Sequence, residues 1–103
     1  MNILYLCADR GIPIRGHKGA AIHARALADA FSQAGHSVTL LTPNPGPADG
    51  PSPSADIIVV PLPDATKDSA DEAAARERRA REYADILYEA ARARIAQGNF
   101  DFV

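Results

Sequence analysis

An α/β fold built on a parallel sheet is predicted by three observations. Two apolar runs, Ile3-Leu4-Tyr5-Leu6-Cys7 and Val38 to Leu41, read as strands covered on both faces. Between them lie a glycine-bearing loop and an Ala-rich segment with helical spacing. A third apolar run, Ile57-Ile58-Val59-Val60, precedes a long second helical segment rich in Ala, Arg and Glu. Strands alternating with helices favour parallel pairing through right-handed crossovers.

The elements follow in order. The first strand is expected over Asn2–Cys7. Residues Asp9 to Lys18 form a loop, because Pro13 and the glycines prevent regular structure. The first helix is expected from about Gly19 to Ala34, with Ala20, Ala24, Leu27, Ala28 and Phe31 as its buried stripe. Arg25, Asp29, Ser32 and Gln33 lie away from that stripe. Gly35 is the expected helix-terminating glycine, with His36 able to meet the last carbonyls. The second strand is Ser37–Thr42. Residues Pro43 to Ser54 (PNPGPADGPSPS) carry no element, since prolines remove donors and glycines loosen the chain. The third strand is expected over Asp56–Pro61, buried on both faces.

The second helix is expected from about Ser69 to Gln97. Ala80, Tyr83, Ala84, Leu87, Tyr88, Ala91 and Ile95 form its predicted seam. Glu72–Arg76, Glu77–Arg81 and Arg81–Asp85 are surface pairs at i,i+4. Gly98 stops it, and Phe100-Asp101-Phe102-Val103 starts a fourth strand. The result is a Rossmann-like parallel sheet of expected order 3-2-1-4, flanked by helices and incomplete at its C-terminal side. The glycine loop falls at the carboxyl end of a central strand, where ligands of open sheets gather.

Composition narrows the function. The chain has 103 residues, 47% apolar and 23% charged, which fits one small globular domain. A net charge of −2 gives no electrostatic reason to expect nucleic acid or an anionic membrane. No apolar run reaches the length of a membrane span, and the first strand leaves no room for a signal peptide after Met1. The single cysteine excludes an internal disulfide. A cytoplasmic protein is the expectation.

Gly11, Gly16 and Gly19 are spaced G-x4-G-x2-G, not the dinucleotide G-x-G-x-x-G. The second strand ends in Thr42-Pro43, where a ribose-binding enzyme has Asp or Glu. A nicotinamide cofactor is therefore not expected. The P-loop pattern also fails: His17 is inserted before Lys18, and Gly19 stands where Ser or Thr should follow. His17, His23 and His36 have no metal-ligand spacing and no acidic partner, so no metal is expected. His23, four residues before Leu27, is expected on the sheet-facing side of the first helix. It is either a hydrogen-bonded helix-start histidine or a donor into a ligand cleft. Lys18, beside a helix N-terminus and two glycines, is either solvated or a contact to a phosphate or sugar hydroxyl. Asp9 and Arg10 are either a local ion pair or part of the cleft, and Cys7 is a small core residue.

The segment Met1 to Pro43 resembles the N-terminus of family 4 glycosyltransferases, retaining enzymes of the GT-B fold. Leu27, Phe31, Gly35, His36, Val38, Leu40 and Thr42 occupy its L-x-x-A-L-x-x-x-G-H-x-V-x-L-x-T tail, and Lys18, Gly19, Ala20, His23 and Arg25 match a K-G-A-x-x-H-x-R variant. The closing FDFV resembles the strand after that family's second helix. The resemblance implies a two-domain enzyme of which residues 1–103 are the truncated N-terminal, acceptor-side domain. A C-terminal domain, absent here, would bind the nucleotide-sugar donor, and transfer to an unidentified acceptor would proceed without a bound metal ion or other cofactor. It further implies that Gly16 and Gly19 border the cleft, with Lys18 and His23 as polar contacts. The segment alone is then expected to be inactive. The alternative is a stand-alone Rossmann-like module that binds a small anion or a partner without catalysis.

Overall fold

The structure is a computed structural model that describes residues 1–62, 72–98 and 100–103. Five elements follow in order: β1 (Asn2–Leu6), α1 (Gly19–Gln33), β2 (Ser37–Thr42), β3 (Asp56–Val59) and α2 (Glu72–Gln97). The strands form a parallel sheet of order β1-β2-β3, with Ile3 opposite Val38 and Leu40 opposite Ile57. On the free side of β1, Phe102 makes an isolated parallel bridge to Ile3, and Leu4 N–H donates to the Phe102 carbonyl at 2.9 Å.

Because side chains alternate along a strand, each strand feeds both faces. Ile3, Val38 and Leu40 face α1, where Ala24 and Ala28 are buried against them. Leu4, Leu41 and Val60 face α2 and pack on Leu87 and Ala91. The small alanines let α1 approach the sheet closely. Its hydrophobic contribution therefore comes mainly from the strands' own Ile, Leu and Val.

β1 and β3 are slightly shorter than expected, and β2 spans Ser37–Thr42 as expected. Cys7 lies beyond β1, although its N–H still donates to the Leu41 carbonyl at 3.0 Å. β3 stops at Val59, and Val60 N–H reaches the Thr42 carbonyl at 2.9 Å. β3 is also not buried on both faces: Ile57 and Ile58 are half-buried while Asp56 and Val59 are exposed. It forms the outer strand of the described sheet, so one side of each residue lacks a neighbour.

The helix stripes are shifted from their expected positions. In α1 the buried residues are Ala21, Ala24 and Ala28; Leu27 and Phe31 are half-buried and Ala20 is exposed. In α2 the buried residues are Ala75, Leu87 and Ala91, with Ile86 and Ala90 packed beside them. Ala80, Ala84, Tyr88 and Ile95 face outward, with Tyr83 half-buried. The reason is length. A helix of 26 residues spans about 39 Å, whereas a five-residue strand spans about 17 Å. Much of α2 therefore overhangs the sheet and its apolar residues have nothing to choose between. The Glu77–Arg81 pair forms at 2.8 Å. The expected start of this helix at Ser69 and the Glu72 side chain of the Glu72–Arg76 pair lie outside the described residues.

Gly35 ends α1 as expected, with φ of +91°. Its N–H donates to the Ser32 carbonyl at 3.0 Å and that of His36 to the Phe31 carbonyl at 3.1 Å, the paired bonds of a Schellman cap. The His36 ring does not meet the last carbonyls. Its Nδ1 lies 2.9 Å from the Met1 amine.

Candidate functional site

The segment between β1 and α1 is an ordered loop built from two tight turns around a buried plug. In the first turn, Asp9 Oδ1 accepts the Gly11 N–H at 2.8 Å and the Asp9 carbonyl accepts that of Ile12 at 3.1 Å. This is the local side-chain bond that Asp makes well in turns. Asp9 thus bonds the backbone, while Arg10 points elsewhere and donates to the Tyr83 hydroxyl on α2 at 2.7 Å. Of the two readings for Asp9 and Arg10, the local ion pair gives way to these two contacts.

Ile14 is the plug. It is fully buried with Cys7, Ala24 and Leu40, which anchors the loop's middle to the core. The second turn closes when Gly16 N–H donates to the Pro13 carbonyl at 2.8 Å. A side chain at position 16 would meet Pro13 Cγ at 2.7 Å and its carbonyl oxygen at 2.9 Å, so only glycine fits. Arg25 fixes the same turn from α1. Its Nη1 donates to the carbonyls of Ile14 and Gly16 at 2.7 and 2.6 Å. Arg25 is accordingly half-buried and not turned away from the fold.

The loop then opens. His17, Lys18 and Gly19 are exposed. Lys18 is the N-cap of α1, extended at φ −69° and ψ 150°, and no side chain caps the helix. No acidic residue stands in its first turn. A Cβ at Gly19 would meet nothing within 4 Å. The start of α1 therefore presents the positive end of its dipole to open space with no carboxylate to compensate it. His23 is exposed, not turned toward the sheet. Of the four sequence-derived site residues, Lys18, Gly19 and His23 share the open surface of the helix start. Gly16 is buried beneath it and shapes the loop.

The 43–50 stretch, which by composition carries no element, forms the loop's outer brace. Thr42, fully buried, bonds through Oγ1 to the Asn44 N–H at 3.1 Å. Asn44 Oδ1 accepts the Gly46 N–H at 3.1 Å, its amide donates to the Arg10 carbonyl at 2.8 Å, and its carbonyl accepts the Ile14 N–H at 3.1 Å. Arg15 N–H donates to the Pro45 carbonyl at 3.0 Å, and its guanidinium to the Gly46 carbonyl at 3.3 Å. Gly46 and Gly50 both approach the Arg15 backbone too closely for a side chain. Asn-Pro-Gly is a legible turn in the sequence; its partners, thirty or more residues away, are not.

Burial raises the Cys7 thiol above its ordinary range. The Asp9 carboxylate adds to the rise and a hydrogen bond from the Asp9 backbone opposes it. Cys7 is thus a neutral core thiol rather than a nucleophile. Among the described residues, no three His, Cys, Asp or Glu side chains are grouped to hold a metal ion, and no helix is long and apolar enough to cross a membrane.

No protein-family model, curated protein or solved structure matches the chain.

An apolar groove lies away from this loop, at the outer edge of β1. It has a volume of 410 Å³ and runs between Tyr5, Leu27, Phe31 and Phe102. On the opposite face a smaller groove of 270 Å³ lies among Leu6, Tyr88, Ile95 and Val103. Backbone parity explains why both sit there. The odd residues of β1 bond to β2, whereas its even residues face outward. Phe102 satisfies Leu4 N–H, and beyond it Leu6 meets no further strand among the described residues.

Proposed function

We propose that this chain is the N-terminal, acceptor-side part of a retaining GT-B glycosyltransferase, which transfers a sugar from a nucleotide-sugar donor to an acceptor. The observation that carries the reading is the open, uncapped start of α1 at Lys18-Gly19, held in place by a braced loop at the carboxyl end of β1. A loop of this kind suits the close approach of an anionic or polyhydroxylated ligand. Glycine leaves room for it, backbone N–H groups meet it, and the dipole favours negative charge. Lys18 adds a cation and His23 a ring nitrogen on the same exposed surface. The resemblance of Met1 to Pro43 to family 4 enzymes supplies the reaction class.

In this reading the strand order is 3-2-1-4, with Phe100 to Val103 opening the fourth strand. The two apolar grooves flanking Leu6 are the space into which the sheet continues. The chain supplies one wall of a cleft. Donor-binding groups, including the carboxylates that such enzymes use, come from a second domain. This chain's own residues bind and orient: Gly16 shapes the loop, Gly19 keeps the helix start open, and Lys18 and His23 offer polar contacts. The protein is read as cytoplasmic, with no resident metal or cofactor.

The test is to assay the polypeptide encoded by the whole reading frame containing these residues. The assay measures nucleotide release from a panel of nucleotide sugars with and without sugar and lipid-linked acceptors. The proposal expects acceptor-dependent release that Gly19→Val abolishes while the fold survives, and none from residues 1–103 alone. Absence of release from the full reading frame, or turnover by the 103-residue chain, overturns it.

A further inference from the structure

We propose that Arg25 is a positioning residue for the glycine loop. This rests on the reading of the loop as a ligand surface under Proposed function. Arg25 stands six residues beyond Gly19 on α1 and reaches back to the turn that precedes it. One nitrogen, Nη1, donates to two carbonyls two residues apart, Ile14 and Gly16, at 2.7 and 2.6 Å. Bonds from a charged donor are about twice as strong as neutral ones and are short for that reason.

The geometry has a consequence for charge. A turn directs some carbonyl oxygens toward its concave side, and each carries partial negative charge. Two of them beside the start of α1 would oppose an anionic ligand there. The Arg25 cation takes both, so the loop meets a ligand with its carbonyls already occupied. Asn44 holds the same segment from the other side through the Ile14 N–H. The Ile14 and Gly16 carbonyls are therefore held from α1, and the Ile14 and Arg15 N–H groups by the carbonyls of Asn44 and Pro45 after β2. Lys18 and Gly19, immediately downstream, are exposed, and the Lys18 carbonyl takes the first helical bond, from the Ile22 N–H at 3.0 Å. The segment that would touch ligand is thus open, but its root is fixed to the helix whose dipole it serves. Fixing the root in advance removes an ordering cost that binding would otherwise carry.

Lysine cannot replace this arrangement fully. Its ammonium is a point charge without the planar fork, and its shorter reach satisfies one carbonyl better than two. Methionine retains the apolar stem and removes both bonds, leaving two partly buried carbonyls without a donor.

The test is hydrogen exchange read by mass spectrometry on the polypeptide of the whole reading frame, for wild type, Arg25→Met and Arg25→Lys, each with and without inorganic pyrophosphate. In Arg25→Met, peptides covering residues 12–18 should exchange faster by roughly tenfold or more, while β1 and β2 keep their wild-type rates. Arg25→Lys should fall between the two. Unchanged exchange over residues 12–18 in Arg25→Met overturns the proposal. So does loss of protection throughout the chain, since that marks a general core residue and not a local one. Pyrophosphate tests the underlying reading separately: slower exchange over residues 17–22 in wild type supports a ligand surface. If pyrophosphate has no effect while Arg25→Met still loosens the loop, the ligand reading fails and the positioning role of Arg25 stands.

Discussion

Arg10 and Tyr83 meet across 73 residues of chain: the guanidinium donates to the phenol oxygen at 2.7 Å and its carbon lies 5.2 Å from the ring centroid. This contact joins the loop after β1 to α2, two parts of the chain on different layers of the fold. Both side chains are at least partly in water, so the bond exchanges with solvent and its net worth is small. Tyr83→Phe keeps the ring beneath the cation and removes the hydroxyl. It should cost under about 1 kcal/mol. Tyr83→Ala removes both and should cost more. Urea unfolding midpoints of the two variants check the order; equal midpoints would show that the ring contributes nothing.

Gly16 and Gly19 should respond oppositely to alanine. Position 16 has Pro13 atoms at 2.7 and 2.9 Å from any added Cβ, one of them backbone, so the turn must shift. Gly16→Ala should destabilise by about 1–3 kcal/mol, the usual range for forced overpacking. Position 19 is open space at the start of a helix without a positive φ. Gly19→Ala should leave stability unchanged or raise it by up to about 1 kcal/mol. Thermal unfolding of both variants decides this, and a destabilised Gly19→Ala would place an unrecognised contact at the helix start.

Alkaline pH should weaken the fold through two core groups. Burial raises the Cys7 thiol above its ordinary 9.0 and the Tyr5 phenol above its ordinary 10.0, and a charged Cys7 would raise Tyr5 further. In each case the folded protein keeps a proton that the unfolded chain releases. Their contribution is complete below the unfolded value and is lost as pH rises from there through the folded value. Stability should therefore fall from about pH 9 upward, first through Cys7 and then through Tyr5. Cys7→Ala should flatten the first part of that decline. Denaturant unfolding at several pH values between neutrality and pH 10 measures it, and an identical slope in the variant would remove Cys7 as the cause.

The outer edge of β1 should make the 103-residue chain associate in solution. Leu6, Tyr88, Ile95, Phe102 and Val103 are all exposed large apolar residues beside the outer edge of β1, where Phe102 makes an isolated bridge. Leu6→Glu and Ile95→Glu place charge on one strand position and one helix position of that edge. Each should shift sedimentation toward the monomer. A wild-type chain that sediments as a monomer and melts cooperatively at high temperature would mean that this edge needs no partner.

The sequence by itself determined the elements whose signals are local. The strand at Ser37–Thr42, the start of α1 at Gly19 and the Gly35 cap follow from runs, spacing and one glycine that must take positive φ. Those are properties of neighbouring residues, so they can be read without knowing any tertiary contact. Gly16 and Gly19 were legible as loop glycines for the same reason, but not the difference between them. Only the fold set Pro13 against Gly16 and left Gly19 free. Only the fold turned Arg25 inward, because the carbonyls it serves come from a turn nine to eleven residues earlier. Proline-rich residues 43–50 carry no element by composition, yet Asn44, Gly46 and Gly50 brace the loop between β1 and α1 through partners distant in sequence. The α2 seam was misplaced because an alanine-rich helix longer than the sheet has several nearly equivalent faces, and packing on Leu4, Leu41 and Val60 selects one. Local chemistry fixes where elements begin and end; which face and which carbonyl each side chain meets is a matter of long-range packing.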